Sequence, residues 1–139
     1  MFLMTKLRSV VLIDDNETTS FLNNRLLGRL EVADVVKTFS RADEAFEQIW
    51  GRAALNGDVP EDVPELVFVD LKMPGINGFE FLEMYSRLPE SVQQKTVMAV
   101  LTTSMHAADT VRVAVHPNVE YLTKPLTEEK MQKLLQKRF

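Results

Sequence analysis

Cysteine is absent from the 139 residues. Disulfides, thiolate catalysis and cysteine-based zinc sites are therefore excluded. Long apolar runs are absent too. Nothing approaches the roughly 20 residues that cross a bilayer, and the mildly apolar start, Met1 to Ser9, is too short for a secretory core. Residues 1–8 are read as a loose lead-in, and the protein as cytoplasmic with no membrane contact. Positive charge is not in excess: the formal net charge is -4. That argues against direct nucleic-acid binding, which rests on neutralising phosphates with Lys and Arg. Lys130, Lys133, Lys137 and Arg138 do cluster near the end, and the plainer reading is the solvated face of a last helix. The 5 glycines form neither a G-x-G-x-x-G nor a P-loop.

What is present is an ordinary globular composition, 45% hydrophobic and 26% charged, in a chain of single-domain length. Short apolar runs alternate with amphipathic stretches. Val10 to Ile13, Leu66 to Val69 and Val97 to Leu101 read as strands buried on both faces. Ala33 to Phe39 carries Asp34 and Lys37 and reads as an edge strand. Val119 to Thr123 is a fifth strand. Helices are predicted over Thr18 to Leu30, from an N-cap at Ser40 through Trp50, over Phe79 to Leu88 with a stop at Pro89, over Ala107 to Val115, and over Thr127 to Arg138. Asn56 to Pro64 reads as a loop. This alternation predicts an α/β fold: a parallel sheet of five strands with helices on both faces.

The polar residues fall at telling places. Four apolar runs end in reactive groups: Asp14 and Asp15 after the first, Asp70 after the third, Thr102 and Thr103 after the fourth, Thr123 and Lys124 after the fifth. In a parallel sheet the carboxyl ends share one edge, where ligands bind. The fold would gather three carboxylates, a hydroxyl and an ammonium there. Two carboxylates about 4 Å apart repel by about 4 kcal/mol at an effective dielectric of about 20. Lys124 supplies one compensating charge and a divalent cation could supply the rest. Hard oxygen donors suit Mg²⁺, which commonly takes phosphate oxygens as further ligands. A phosphoryl group is a natural guest, and one carboxylate a natural nucleophile. Taken singly, each residue has a duller explanation: an N-cap for Asp14 or Asp15, a turn for Asp70, a cap for Thr102, a surface charge for Lys124. Their coincidence at four strand ends favours a shared site.

Four segments, VLIDDN (Val11 to Asn16), FVDLKMPGINGFEFL (Phe68 to Leu82), VLTTS (Val100 to Ser104) and YLTKPL (Tyr121 to Leu126), together resemble the receiver domains of two-component response regulators over essentially the whole chain. The resemblance implies a flavodoxin-like fold with strand order 2-1-3-4-5, in one receiver domain spanning 1–139 without an output domain. It implies that Asp70 is the phosphoacceptor. Asp15 and Asp14 would hold Mg²⁺ with Asp70 and the backbone carbonyl of Lys72. Lys124 would bridge to Asp70 and then to the phosphoryl group, through a cis bond to Pro125. Thr102 would be the switch hydroxyl and Tyr121 the switch aromatic.

Lys72 and Ser104 match variable positions that tune phosphoryl lifetime in such domains, and Thr103, also modulating, stands where a smaller residue is usual, so that its bulk would narrow access to Asp70. His106 and His116 read as loop residues, not phosphotransfer histidines. The implied function is a phosphoacceptor switch rather than a turnover enzyme, catalysing its own phosphorylation and dephosphorylation. It would take phosphoryl from a histidine kinase or phosphotransfer protein and read out to a protein partner through the fourth predicted helix, fifth strand and fifth predicted helix, roughly Ala107 to Arg138. Two rivals are a phosphorylation-independent receiver-like adaptor and a small α/β phosphohydrolase. The second lacks the expected Asp-x-Asp pair after the first strand.

Overall fold

The computed structural model describes residues 6–56, 62–103 and 106–139, with backbone alone for 52–56. Five strands, β1 (Leu7–Ile13), β2 (Ala33–Phe39), β3 (Leu66–Val69), β4 (Val97–Thr102) and β5 (Glu120–Thr123), form one parallel sheet in the order β2-β1-β3-β4-β5. The helices are α1 (Glu17–Leu30), α2 (Ala42–Asn56), α3 (Gly78–Ser86), the short α4 (Glu90–Gln93), α5 (Ala107–Ala114) and α6 (Glu128–Arg138). The strand order is the one the resemblance implied, and β2 lies at an edge as its polar residues predicted.

Successive side chains of a strand face opposite sides, so each central strand feeds two cores. Val11, Ile13, Val67, Val69, Met98 and Val100 join Phe46, Trp50, Phe81 and Val113 on the α2, α3 and α5 side. Val10, Leu12, Leu66, Phe68, Ala99 and Leu101 join Leu27, Met131, Leu134 and Leu135 on the α1 and α6 side. Every residue of β3 is buried, which is why the run shows no alternation.

Local chemistry sets the element ends. The Asn16 side chain accepts the Thr19 N–H at 2.9 Å and caps α1, leaving Asp14 and Asp15 free of that role. Asn77 and Glu80 form a reciprocal capping box on α3.

Three expectations need correction. Strand β1 already begins at Leu7, which is 1% exposed, so the lead-in is shorter than residues 1–8. Helix α2 begins at Ala42, with the Ala45 N–H donating to the Arg41 carbonyl at 3.2 Å, so the helix opens one residue later than a cap at Ser40 would place it. Helix α3 ends at Ser86, and Pro89 opens α4 instead of merely stopping a helix. Four residues are too few to show helical periodicity, so α4 left no trace in the pattern. Of the Asn56 to Pro64 loop, residues 57–61 lie outside the described residues.

The α3–α4–β4 corner is tied by one hydroxyl. Tyr85 Oη lies 2.6 Å from the Gln93 carbonyl and 3.0 Å from the Thr96 carbonyl, donating its proton to that pair. Burial pushes its pKa up to about 12, against a small opposing pull from Arg138. Replacing Tyr85 with Phe should cost about 1–2 kcal/mol, because two carbonyls lose a donor. In urea unfolding this should appear as a lower midpoint at unchanged slope. An unchanged midpoint would show that water replaces the bond freely.

Candidate functional site

The hydrogen bonds of the parallel ladders continue one residue past the strands. Asp14 N–H donates to the Phe39 carbonyl (3.0 Å), Asp70 N–H to the Ile13 carbonyl (3.1 Å) and Lys124 N–H to the Thr102 carbonyl (2.8 Å). The backbone of each reactive residue is thus fixed by the strand beside it. Side chains then converge. Lys124 Nζ donates to Asp14 Oδ2 at 2.6 Å and to Asp70 Oδ2 at 3.1 Å. The second oxygen of each acid takes a backbone N–H: Asn16 on Asp14 at 2.9 Å and Lys72 on Asp70 at 3.4 Å. Asp14 and Asp70 are buried, at 7% and 8% exposure, whereas Asp15 is exposed.

Burial works against the charge of Lys124, but hydrogen bonds and attraction from Asp14 and Asp70 outweigh it and raise its pKa above the 10.5 of a free lysine. The contribution of this group to stability is therefore present below that value and is lost as pH rises through the raised one. Without Lys124 the two buried carboxylates face each other with no counter-ion among the described residues. In the absence of divalent cations, Lys124→Met should lower stability by about 2–3 kcal/mol, somewhat less than a fully buried broken pair because water still reaches the rim. Chemical denaturation in chelator checks this. A variant as stable as wild type would mean the ammonium is not needed to hold the acids together.

One oxygen from each of Asp14, Asp15 and Asp70 lies within 4.8 Å of the others. Ligands of an octahedral Mg²⁺ at about 2.1 Å stand roughly 3–4 Å apart, so the spacing suits such an ion. The donor set is all hard oxygen, and three acids against one lysine leave negative charge for a cation to neutralise. The residues present fit a bound Mg²⁺.

The remaining predicted residues surround this cluster. Thr102 is fully buried at the end of β4, directly opposite Thr123 in the β4–β5 register. Tyr121 is half-buried, pairs with Val100, and packs against the α5-side core. Lys72 and Thr103 are exposed, and Ser104 lies outside the described residues. The Lys124–Pro125 bond is cis. His106 and His116 sit just before and just after α5, outside its helical residues. Size does not mark this site: a cavity of about 450 Å³ lies elsewhere, between α2 and strands β1 and β2, with Val11, Lys37 and Ile49 in its lining and none of the three acids.

The basic residues of α6 are partly as expected and partly need a further correction. Lys133, in an exposed pair with Glu129, and Lys137 do stand on the solvated face, whereas Lys130 and Arg138 are half-buried. Lys137 and Arg138 hold Glu120 of β5 at 2.9 and 2.7 Å. The net effect is to keep the Glu120 carboxyl below its usual range, although burial pulls the other way. Lys130 grips the β5–α6 turn. No local sequence signal distinguished these roles.

The response regulator receiver domain family model matches residues 10–136. The chain belongs to that family, whose members are phosphoacceptors in two-component signalling. It is 26% identical over 128 residues to the signal transduction histidine-protein kinase BarA of Escherichia coli, covering 91% of this chain and 12% of that protein. Among solved structures, a two-component response regulator from Cytophaga hutchinsonii aligns with a TM-score of 0.80 at 25% identity, covering 96% of this chain and 97% of that one. A response regulator receiver protein from Dyadobacter fermentans aligns at 0.79 and 28%, covering 95% and 98%. Among the described residues, no helix is long and apolar enough to cross a membrane.

Proposed function

We propose that this chain is a phosphorylation switch in which Asp70 accepts a phosphoryl group from a phosphohistidine donor on a histidine kinase or phosphotransfer protein. The observation that carries this reading is the Lys124 ammonium shared between Asp14 and Asp70, with the exposed Asp15 within reach of both. A carboxylate oxygen of Asp70 attacks phosphorus in line as the bond to the donor nitrogen breaks. The bonding pair stays on that nitrogen, and because the other ring nitrogen of the donor is protonated the ring leaves as a neutral imidazole, with an acyl phosphate remaining on Asp70. Lys124, already between the acids, moves from the Asp70 carboxylate to a phosphoryl oxygen. Thr102 donates its hydroxyl to another. Mg²⁺, held by Asp14, Asp15, Asp70 and the Lys72 carbonyl, supplies neutralising charge to the transferring group when bound.

Readout follows from what these movements disturb. Lys124 and Thr102 are joined through the β4–β5 ladder, and Tyr121 sits two residues before Thr123 on β5. Tyr121 changes rotamer as Thr102 moves, altering the surface of α5, β5 and α6. That surface carries Val111 and Val115, exposed at 66% and 71%, which suit a protein partner. A swing from roughly 1:99 to 99:1 between two states needs about 5.5 kcal/mol, a size that several charge-assisted hydrogen bonds plus a metal can supply. The Lys72 and Thr103 side chains at the rim, with Ser104, set how fast water removes the phosphoryl group. The cell compartment in this reading is the cytoplasm.

The test is phosphoryl uptake from acetyl phosphate, followed on a phosphate-affinity gel with and without Mg²⁺. Uptake that needs Mg²⁺ and is lost in chelator supports the reading. Wild type without uptake would favour an adaptor that works unphosphorylated, and sustained hydrolysis of phosphate esters would favour a phosphohydrolase. Mg²⁺ at about a hundred times its Kd should also stabilise the fold by about 2.7 kcal/mol.

A further inference from the structure

We infer that Lys130, outside the acidic cluster, is a positioning residue for Lys124. The inference rests on the proposed function where it concerns phosphoryl transfer. Its geometric half stands on its own.

Lys130 breaks a local rule. Thr127 caps α6 by accepting the Lys130 N–H at 3.2 Å, so Lys130 is the third residue of the helix. The first turn carries the positive end of the helix dipole and favours acids, as Glu128 and Glu129 obey. A capping box would place Glu or Gln at the third position. A lysine there is unfavourable unless something compensates, and such departures concentrate at functional sites.

The compensation is complete. Lys130 Nζ donates to the Thr123 carbonyl at 2.6 Å, the Pro125 carbonyl at 3.0 Å and the Thr123 hydroxyl at 3.3 Å. An ammonium has three protons, and here each has an acceptor. The two carbonyls belong to the residues on either side of Lys124. Fixing a long lysine chain costs much side-chain freedom, which one solvent-exposed bond would not repay.

The grip has a firm base. Met131, next in sequence, is fully buried, and Leu134 and Leu135 are buried with it against the sheet. The backbone of Lys124 is therefore held twice: by the Thr102 carbonyl on the strand side and by Lys130 on the helix side. Such support narrows where the Lys124 ammonium can reach. Displacement of a reacting group by about 1 Å can reduce rate on the order of 100-fold.

The test uses the full chain and reads two quantities. Proton–nitrogen NMR of lysine ammonium groups should show a slowly exchanging Lys124 signal in wild type, assigned by its absence from Lys124→Met. In Lys130→Met that signal should broaden into fast exchange, and the rate of acetyl phosphate uptake with saturating Mg²⁺ should fall about tenfold. Lys130→Arg, which keeps donors, should recover most of both. If Lys130→Met does not fold, Thr123→Val, which removes one acceptor, should move both readouts in the same direction by a smaller factor. A Lys124 signal unchanged in the folded variant overturns the inference, whatever happens to the rate. Wild type that takes up no phosphoryl group would instead sink the proposed function, and the ammonium signal alone would then decide the role of Lys130.

Discussion

An Asp70→Asn variant should take up no phosphoryl group from acetyl phosphate while remaining folded. The amide oxygen is a poor nucleophile because its electrons are drawn into the carbon–nitrogen bond, and no acyl phosphate can form on it. The fold should survive for an electrostatic reason. Wild type holds three carboxylates against one ammonium, and removing one acid lowers the repulsion. The 2.6 Å pair between Lys124 and Asp14 stays in place. The thermal midpoint should therefore equal or exceed that of wild type in the absence of Mg²⁺. This is the opposite sign from Lys124→Met, which removes the one cation that, among the described residues, touches both buried acids. A phosphate-affinity gel and a melting curve on the same sample decide it. Retained uptake would move the acceptor to another residue, and a lowered midpoint would mean that the Asp70 carboxylate is itself a structural ligand of Lys124.

A Gly78→Ala variant should lose about 2–3 kcal/mol, the upper range for overpacking. Gly78 opens α3 and its N–H donates to the Leu71 carbonyl at 3.0 Å. A Cβ there would stand 2.7 Å from the Leu71 Cα and closer still to the Asp70 carbonyl oxygen. Those neighbours are backbone and cannot rotate aside, so α3 or the Asp70–Leu71 segment must shift. Phosphoryl uptake should fall with stability, because the acceptor's own backbone is what moves. Gly28→Ala is the matched control. Gly28 lies in α1 with nothing within 4 Å of its would-be Cβ, so alanine there should stabilise by about 0.5–1 kcal/mol through helix propensity. Urea unfolding of the two variants should give opposite signs. A Gly78→Ala protein as stable as wild type would show that α3 accommodates the methyl group without strain.

Much of the fold was legible because burial leaves a local mark. Val10 to Ile13 and Leu66 to Val69 read as unbroken apolar runs because both faces are covered. Asp34 and Lys37 showed an edge because only an edge strand tolerates them. Strand ends were legible through the reactive residues themselves. Where marks were short or ambiguous, the reading slipped. Leu7 stands apart from the apolar run of Val10 to Ile13, with Arg8 and Ser9 between, and so resembles a lead-in, and α4 is too brief to show a period. Lys130 and Arg138 resembled solvent-facing charges because a lysine or arginine looks the same in sequence whether it meets water or a carbonyl.

The sequence by itself determined which segments are strands, which of them are central, and that acids, hydroxyls and a lysine stand at their carboxyl ends. Periodicity and composition encode those properties residue by residue. Only the tertiary structure decided that Lys124 reaches Asp14 across 110 positions and Asp70 across 54, that Tyr85 ties α4 to β4, and that Lys130 clasps the turn holding Lys124. Such contacts depend on the order in which strands lie side by side and on where each helix returns, and no short stretch of chain carries that information.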